Sequence, residues 1–433
     1  MQILRLSPWG AGLVMSLFLF PNLGILAASP APRPTTPGLF MDSPQQGDTD
    51  AFHRSAIIRS RFVGINLGYM DGTGPRGKSD TLRLNLFSEV TLNARLDRVE
   101  DAWPNGYIWV GHLEGVPFSQ VSLVVQDGIM AGTVANFDET YAVRYAGNGV
   151  HSIIQVDPGG FPPESPPLIP PILSSATKSP MAVSKIYLPV LSKPSSIPSG
   201  PTINVLVVYT LAAQTAAGGA TAMNTLINLG VSETNTSYQN SGINQRISLA
   251  NAVQVGYTES GSMNTDLTNL TNGTGALSSV PTLRNTYAAD LVTLWIQPSG
   301  SSCGIAWLMA NVSASFAPNG FSVIAENCVS PNYSFAHEMG HNMGASHDWY
   351  TDASTLPYVY AHGYVNLAAR WRTIMAYNDQ CSASGFNCQR ILFWSNPDVL
   401  YSGAPMGVPE GLPNPADNRK TLNNTATTVS SFR

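Results

Sequence analysis

The stretch Ser334–Tyr350, SFAHEMGHNMGASHDWY, holds three of the chain's seven histidines within eleven positions. A scarce residue crowded into one segment points to a shared ligand. His337 and His341 are four residues apart, so on a helix they share a face and both reach one metal ion. Glu338, beside the first histidine, is placed to take a proton from a water on that ion. Gly344 has no Cβ and can end the helix in a conformation that other residues resist, so the chain can turn and bring in His347 as a third ligand. Together these residues fill every fixed position of H-E-x-x-H-x-x-G-x-x-H. With His near ~2% and Gly near ~7% of residues, chance yields the set in on the order of one in 10⁵ chains of this length. Three neutral imidazoles with a fourth position open suit a tetrahedral ion, so Zn2+ is the expected cofactor.

On these residues the sequence resembles the metzincin zinc endopeptidases. Asp348, directly after the third histidine, and the later TIMAYNDQC (Thr373–Cys381) resemble the reprolysin-like and bacterial peptidyl-Asp metallopeptidase group. The resemblance implies a turn that sets Met375 beneath the metal. It also implies an α/β (α+β) catalytic domain with a mainly parallel twisted sheet and an active-site helix. Tyr377 matches a tyrosine that in related branches approaches the metal or the tetrahedral intermediate. It joins Glu338 as a catalytic candidate, with core packing as the alternative. Asp348 is expected to accept hydrogen bonds that fix the base of the site. His362, in YAHGYV, is expected to face solvent or make hydrogen bonds rather than bind metal.

Outward from the motif, apolar runs describe the rest of the catalytic unit. INVLVVYT (203–210), QRISLANAVQVGYT (245–258), DLVTLWIQ (290–297) and FSVIAENC (321–328) read as strands. An Ala-rich segment beyond Leu211 carries a helix to about Asn240, and strands alternating with helices imply a mainly parallel sheet. RILFWSNPDVLYSGAPMGV (390–408) and ADNRKTLNNTATTVSSFR (416–433) look like the end of such a domain, closed by a helix from about Ala416.

Earlier in the chain the pattern is β-like. In TLRLNLFSEVTLNARLDRV (81–99) apolar residues alternate at period two, and in SLVVQDGIMAGTV (122–134) Asp127-Gly128 marks a hairpin. This unit resembles the propeptide region of the same bacterial group, without a comparably sharp motif. Residues 158–200 are dominated by Pro and Ser. Such a stretch lacks the backbone donors to join a sheet and reads as an extended linker and a cleavage zone, or as a permanent spacer. The expected order is a signal peptide over 1–28, a β-rich propeptide over 29–157, a linker over 158–200 and the catalytic domain over 201–433.

The signal peptide rests on Arg5, an apolar run over 10–20 and small residues at Ala27–Ser29, with a retained anchor as the alternative. Export makes two disulfides the natural reading of four cysteines, with free or zinc-bound thiols as the rival, and of the three possible pairings the one between sequence neighbours closes the smaller loops: Cys303 with Cys328, Cys381 with Cys388. No cysteine precedes position 303, so a propeptide thiol cannot hold the metal. A carboxylate or backbone block has no identifiable residue in the sequence. A charged fraction of 11% and net charge of -5 offer no basic face for nucleic acid.

The expected product is a secreted, soluble, monomeric zinc endopeptidase acting on proteins or peptides. Its rivals are a zinc-containing binding or adhesion module without catalysis, and a sugar- or surface-binding role for residues 51–157. The group resemblance also implies recognition of an acidic side chain. That needs a cation beside the cleft, which Arg372 or Arg390 could supply unless paired internally.

Overall fold

A computed structural model describes residues 38–45, 47, 52, 54–171, 200–297 and 302–433. The expected signal peptide, most of the lead-in after it and residues 172–199 of the expected linker lie outside this set. Before residue 157 nine strands form: β1 (Phe40–Asp42), β2 (Ile57–Ile65), β3 (Thr81–Phe87), β4 (Val90–Asp101), β5 (Tyr107–Leu113), β6 (Gln120–Gln126), β7 (Ile129–Ala135), β8 (Thr140–Tyr145) and β9 (His151–Val156). They make one sheet in the order β1-β2-β9-β8-β7-β6-β5-β4-β3, every neighbour antiparallel. Its ends approach each other, since the Leu39 N–H donates to the Arg83 carbonyl at 3.0 Å. The period-two residues Leu82, Leu84 and Leu86 meet Trp109, Leu123 and Val134 in the core that the sheet encloses.

Strand β6 is buried along its whole length because both of its faces are covered. Val121, Leu123 and Val125 point into the sheet's own core, while Val124 packs with Ile108, Val110 and Ala131 into the core shared with the second half of the chain. Each of these valines, leucines and isoleucines contributes about 1.5–3 kcal/mol by leaving water.

The second half begins with β10 (Thr202–Thr210), α1 (Leu211–Ala216), α2 (Ala220–Asn240) and β11 (Arg246–Val255). Then follow α3 (Met263–Asn272), α4 (Val280–Thr286), β12 (Leu291–Ile296), β13 (Gly304–Ala306), β14 (Phe321–Ala325) and α5 (Ser334–Asn342). The sheet order is β11-β10-β12-β14-β13, with β13 antiparallel to β14 and the other pairs parallel. Helices cover both faces: Met223 and Leu226 of α2 and Phe335 of α5 pack on one, Leu267 and Leu270 of α3 on the other. Such double cover explains why β10 and β12 read as continuous apolar runs rather than alternating ones.

Where the first sheet packs on α2, Arg144 of β8 is buried near Glu233 of α2 and Glu326. Burial pushes the carboxyls up, Glu233 to about 7 and Glu326 to about 8, with Arg144 only partly opposing it.

Chain 158–171 departs from the expectation that Pro-rich sequence stays out of sheets. Leu168 pairs with Trp307 in a parallel bridge at the outer edge of β13. The N–H groups of Ser165 and Leu168 donate to the carbonyls of Gly304 and Ala306, at 2.8 and 2.9 Å. In return Pro163 accepts from Cys303 N–H at 2.9 Å. Proline lacks a donor but keeps its acceptor, and two well-spaced non-proline residues supply the donors an edge requires.

Beyond α5 lie β15 (Val365–Asn366), β16 (Trp371–Arg372), α6 (Asp379–Ala383), β17 (Gln389–Arg390) and the closing helix α7 (Asn418–Val429). The disulfides are Cys303–Cys328 and Cys381–Cys388, the pairing that neighbours in sequence suggest. Among the described residues no helix is long and apolar enough to cross a membrane.

Candidate active site

Helix α5 is buried throughout. It ends at Asn342 and is capped by Met343, after which Gly344 takes φ +86. The Gly344 N–H donates to His341 O and the Ala345 N–H to Gly340 O, at 2.9 and 2.8 Å, which is the double closure of a left-handed C-terminal turn. The turn has a second effect, because Ala345 O then accepts from Nδ1 of His341 at 2.8 Å. Just beyond, Ser346 bridges to His362 and the chain delivers His347 to the two helix histidines.

The Nε2 atoms of His337, His341 and His347 lie 2.9–3.1 Å apart. Nδ1 of His337 faces the carbonyl of Ile374 at 2.9 Å. A carbonyl can only accept, so Nδ1 of His337 and of His341 carry the proton, and their Nε2 lone pairs are aimed at each other and at His347. Burial lowers the pKa of all three, His337 to about 4, so they stay neutral. Lone pairs held this close repel unless a cation sits among them. Tetrahedral ligands at ~2.0 Å stand about 3.3 Å apart, slightly wider than here, so the donor set fits such an ion after a small expansion.

Glu338 is fully buried, and both its carboxylate oxygens lack a hydrogen-bond partner among the described residues. Burial, and then the nearby Glu164, raise its proton affinity well above the ordinary value. It lies against Gly304 of β13, where a Cβ would come within 2.6 Å of Oε1. The edge strand can run this close to the carboxylate only without a side chain there. Ile374 and Met375 are buried in the same core as Met339 and Met343.

Asp348 is buried and accepts from the N–H groups of Tyr377 and Tyr350 at 2.8 and 3.1 Å. The Tyr377 ring centroid is 4.0 Å from that of His347, and its hydroxyl donates to the carbonyl of Glu164 at 2.7 Å. His362 does not face solvent: it is buried, with Nδ1 2.7 Å from His347 O and Nε2 2.8 Å from Ser354 O. It braces the backbone of the third histidine and contributes no nitrogen to the cluster.

The two candidate cations separate cleanly. Arg372 donates to the carbonyls of Ala376 and Cys388, at 2.6 and 3.3 Å, and burial lowers it to about 9. Arg390 pairs with Glu164 through two hydrogen bonds of 2.6 and 2.9 Å, both side chains buried. Glu164 also accepts from Ser334 Oγ at 2.9 Å and Asn332 Nδ2 at 3.3 Å. A cavity of about 190 Å³ adjoins this group, lined in part by Phe161, Asn332, Arg372, Tyr377 and Asn378. Sequence reasoning missed Glu164, although it is the only charged residue between Asp157 and Lys178.

Residues 200–400 match the Reprolysin-like family M12B metallo-peptidase model. A peptidyl-Asp metalloendopeptidase of Stenotrophomonas maltophilia is 36% identical over 79% of this chain and 81% of its own length. One of Xanthomonas campestris pv. campestris is 34% identical over 87% of both chains. One of Pseudomonas fragi is 36% identical over its whole length and 46% of this chain.

Proposed function

Given that this chain belongs to the reprolysin-like metallopeptidases and is a metalloendopeptidase, we propose that it is an exported, zinc-dependent enzyme. Glu338 is its general base, and it favours acidic residues in protein or peptide substrates. The observation that carries the reading is the convergence of three Nε2 atoms beside a buried carboxylate that has no partner among the described residues. His337, His341 and His347 hold the ion. Zinc bound there would supply a Lewis acid able to polarise the scissile carbonyl and acidify a water.

The rest is done by protein groups. Glu338 takes the proton of the attacking water and passes it to the departing amine, a task suited to a carboxylate whose proton affinity burial has raised. Tyr377 stays protonated, since burial and the surrounding carboxylates disfavour its anion, and once the Glu164 carbonyl leaves, its hydroxyl donates toward the carbonyl under attack. Strand β13 presents an open edge to an extended substrate once residues 163–168 leave it. The buried Arg390 beside the cleft supports acidic preference, as do the names of the relatives. Two disulfides support export. In this reading residues 29–157 are a propeptide, 158–200 a linker that is cut, and the mature enzyme a monomer.

The test is Glu338→Gln. One zinc per chain should remain while turnover of a peptide substrate drops by about three orders of magnitude or more. Comparable turnover in that variant removes Glu338 from the role.

A further inference from the structure

Glu164 engages the site twice, through its backbone and through its side chain. Its carbonyl accepts from Tyr377, and the N–H of the next residue, Ser165, donates to Gly304, the residue that lies against Glu338. Its carboxylate meets Arg390 in the two-pronged geometry that guanidinium and carboxylate share, with Ser334 and Asn332 completing the oxygen's partners. One residue of the connecting segment thus spans the sheet edge, the tyrosine and the cation.

An ion pair that only braced the fold would need none of this proximity to Glu338. A buried arginine left without its carboxylate is costly, so removal of the segment leaves a site made for another carboxylate. The flanking donors Ser334 Oγ and Asn332 Nδ2 are already in place, and Arg390 is oriented by donating to the carbonyl of Asn332 at 2.7 Å. Arg372 is held beside it by the parallel pairing of β16 with β17, but backbone carbonyls occupy its guanidinium.

We propose that Arg390 is the residue that receives the acidic side chain of a substrate, and that Glu164 occupies that place in the full-length chain. The assignment rests on the endopeptidase reading above and names the group that confers its acidic preference.

The experiment uses full-length chains and two quenched fluorescent peptides that differ only in Asp or Asn beside the cleavable bond. Glu164→Gln should raise cleavage of the Asp peptide at least about tenfold over the wild-type chain, with zinc content unchanged. Adding Arg390→Gln should cut the Asp-to-Asn ratio of kcat/KM at least about tenfold, and Arg390→Lys should retain part of it. A ratio that survives Arg390→Gln overturns the inference, as does a Glu164→Gln chain no faster than wild type. Should Arg390→Gln fail to fold, the synthetic peptide FPPESPPL, residues 161–168, is added to the Glu164→Gln chain. It should inhibit at least about tenfold better than its counterpart with Gln for Glu, and equal potency overturns the inference. If no chain cleaves either peptide, the endopeptidase reading fails instead, and the inference with it.

Discussion

Asp348 Oδ2 accepts the backbone N–H of Tyr377 at 2.8 Å, which ties the loop of the third histidine to the turn that carries Met375. Asp348 also holds Tyr350 N–H and the Thr351 hydroxyl. Asp348→Ala leaves these donors unpaired in a buried place and lets His347 drift. The expected result is a 10–100-fold loss of zinc affinity, on the order of what supporting residues of metal ligands contribute, read by competition with a chelator. A loss of stability of about 1–3 kcal/mol should accompany it in denaturant unfolding.

Gly304→Ala tests the closeness of β13 to the base. The new methyl group would stand within 2.6 Å of Glu338 Oε1, and either the carboxylate or the edge strand must yield. A displacement near 1 Å costs about 100-fold in turnover. Zinc content should stay at one per chain, because the histidines are untouched. Wild-type kcat in this variant would show that the carboxylate has room to spare.

The stability of the full-length chain should depend on pH through Glu326. Its carboxyl ordinarily ionises at 4.5 and burial raises that to about 8 in the folded chain. A group raised on folding contributes fully below its unfolded value, and the contribution is lost as pH climbs through the folded one. Glu326→Gln should therefore come within about 1 kcal/mol of the wild type near pH 5 and exceed it by about 4–5 kcal/mol at pH 9. Unfolding curves at the two pH values decide it.

The two disulfides should differ in effect. Cys303–Cys328 closes 25 residues and anchors the start of β13, whereas Cys381–Cys388 closes 7. By loop closure they contribute about 3–4 and about 2 kcal/mol. Serine pairs in place of each should lower the melting temperature in that order. The first pair should also lower activity, since it frees the strand that lies against Glu338.

The metal-binding helix and the arrival of His347 are legible in the sequence because each residue there has one chemical role at a fixed spacing. Strands β10, β12 and β14 are legible for a different reason, as continuous apolar runs have few uses outside a doubly covered sheet. Alternation in residues 81–99 tells which side chains share a face, but not that β1 ends up near β3 at the far end of the strand order. Arg390 can be named as a cation near the cleft from its place near the Met375 turn. Its partner cannot, because Glu164 stands 226 residues earlier and no local pattern links them. The Pro-rich run misleads most: counting its missing donors hides that Ser165 and Leu168 are the two the edge of β13 requires.

Once residues 163–168 leave it, as proposed, the edge of β13 would admit only polypeptide that can lie straight along it. Native helices and packed hairpins cannot meet that demand without first melting. On the proposed function its substrates would therefore be loose ends, loops and denatured segments of proteins, whatever residue it prefers beside the cut.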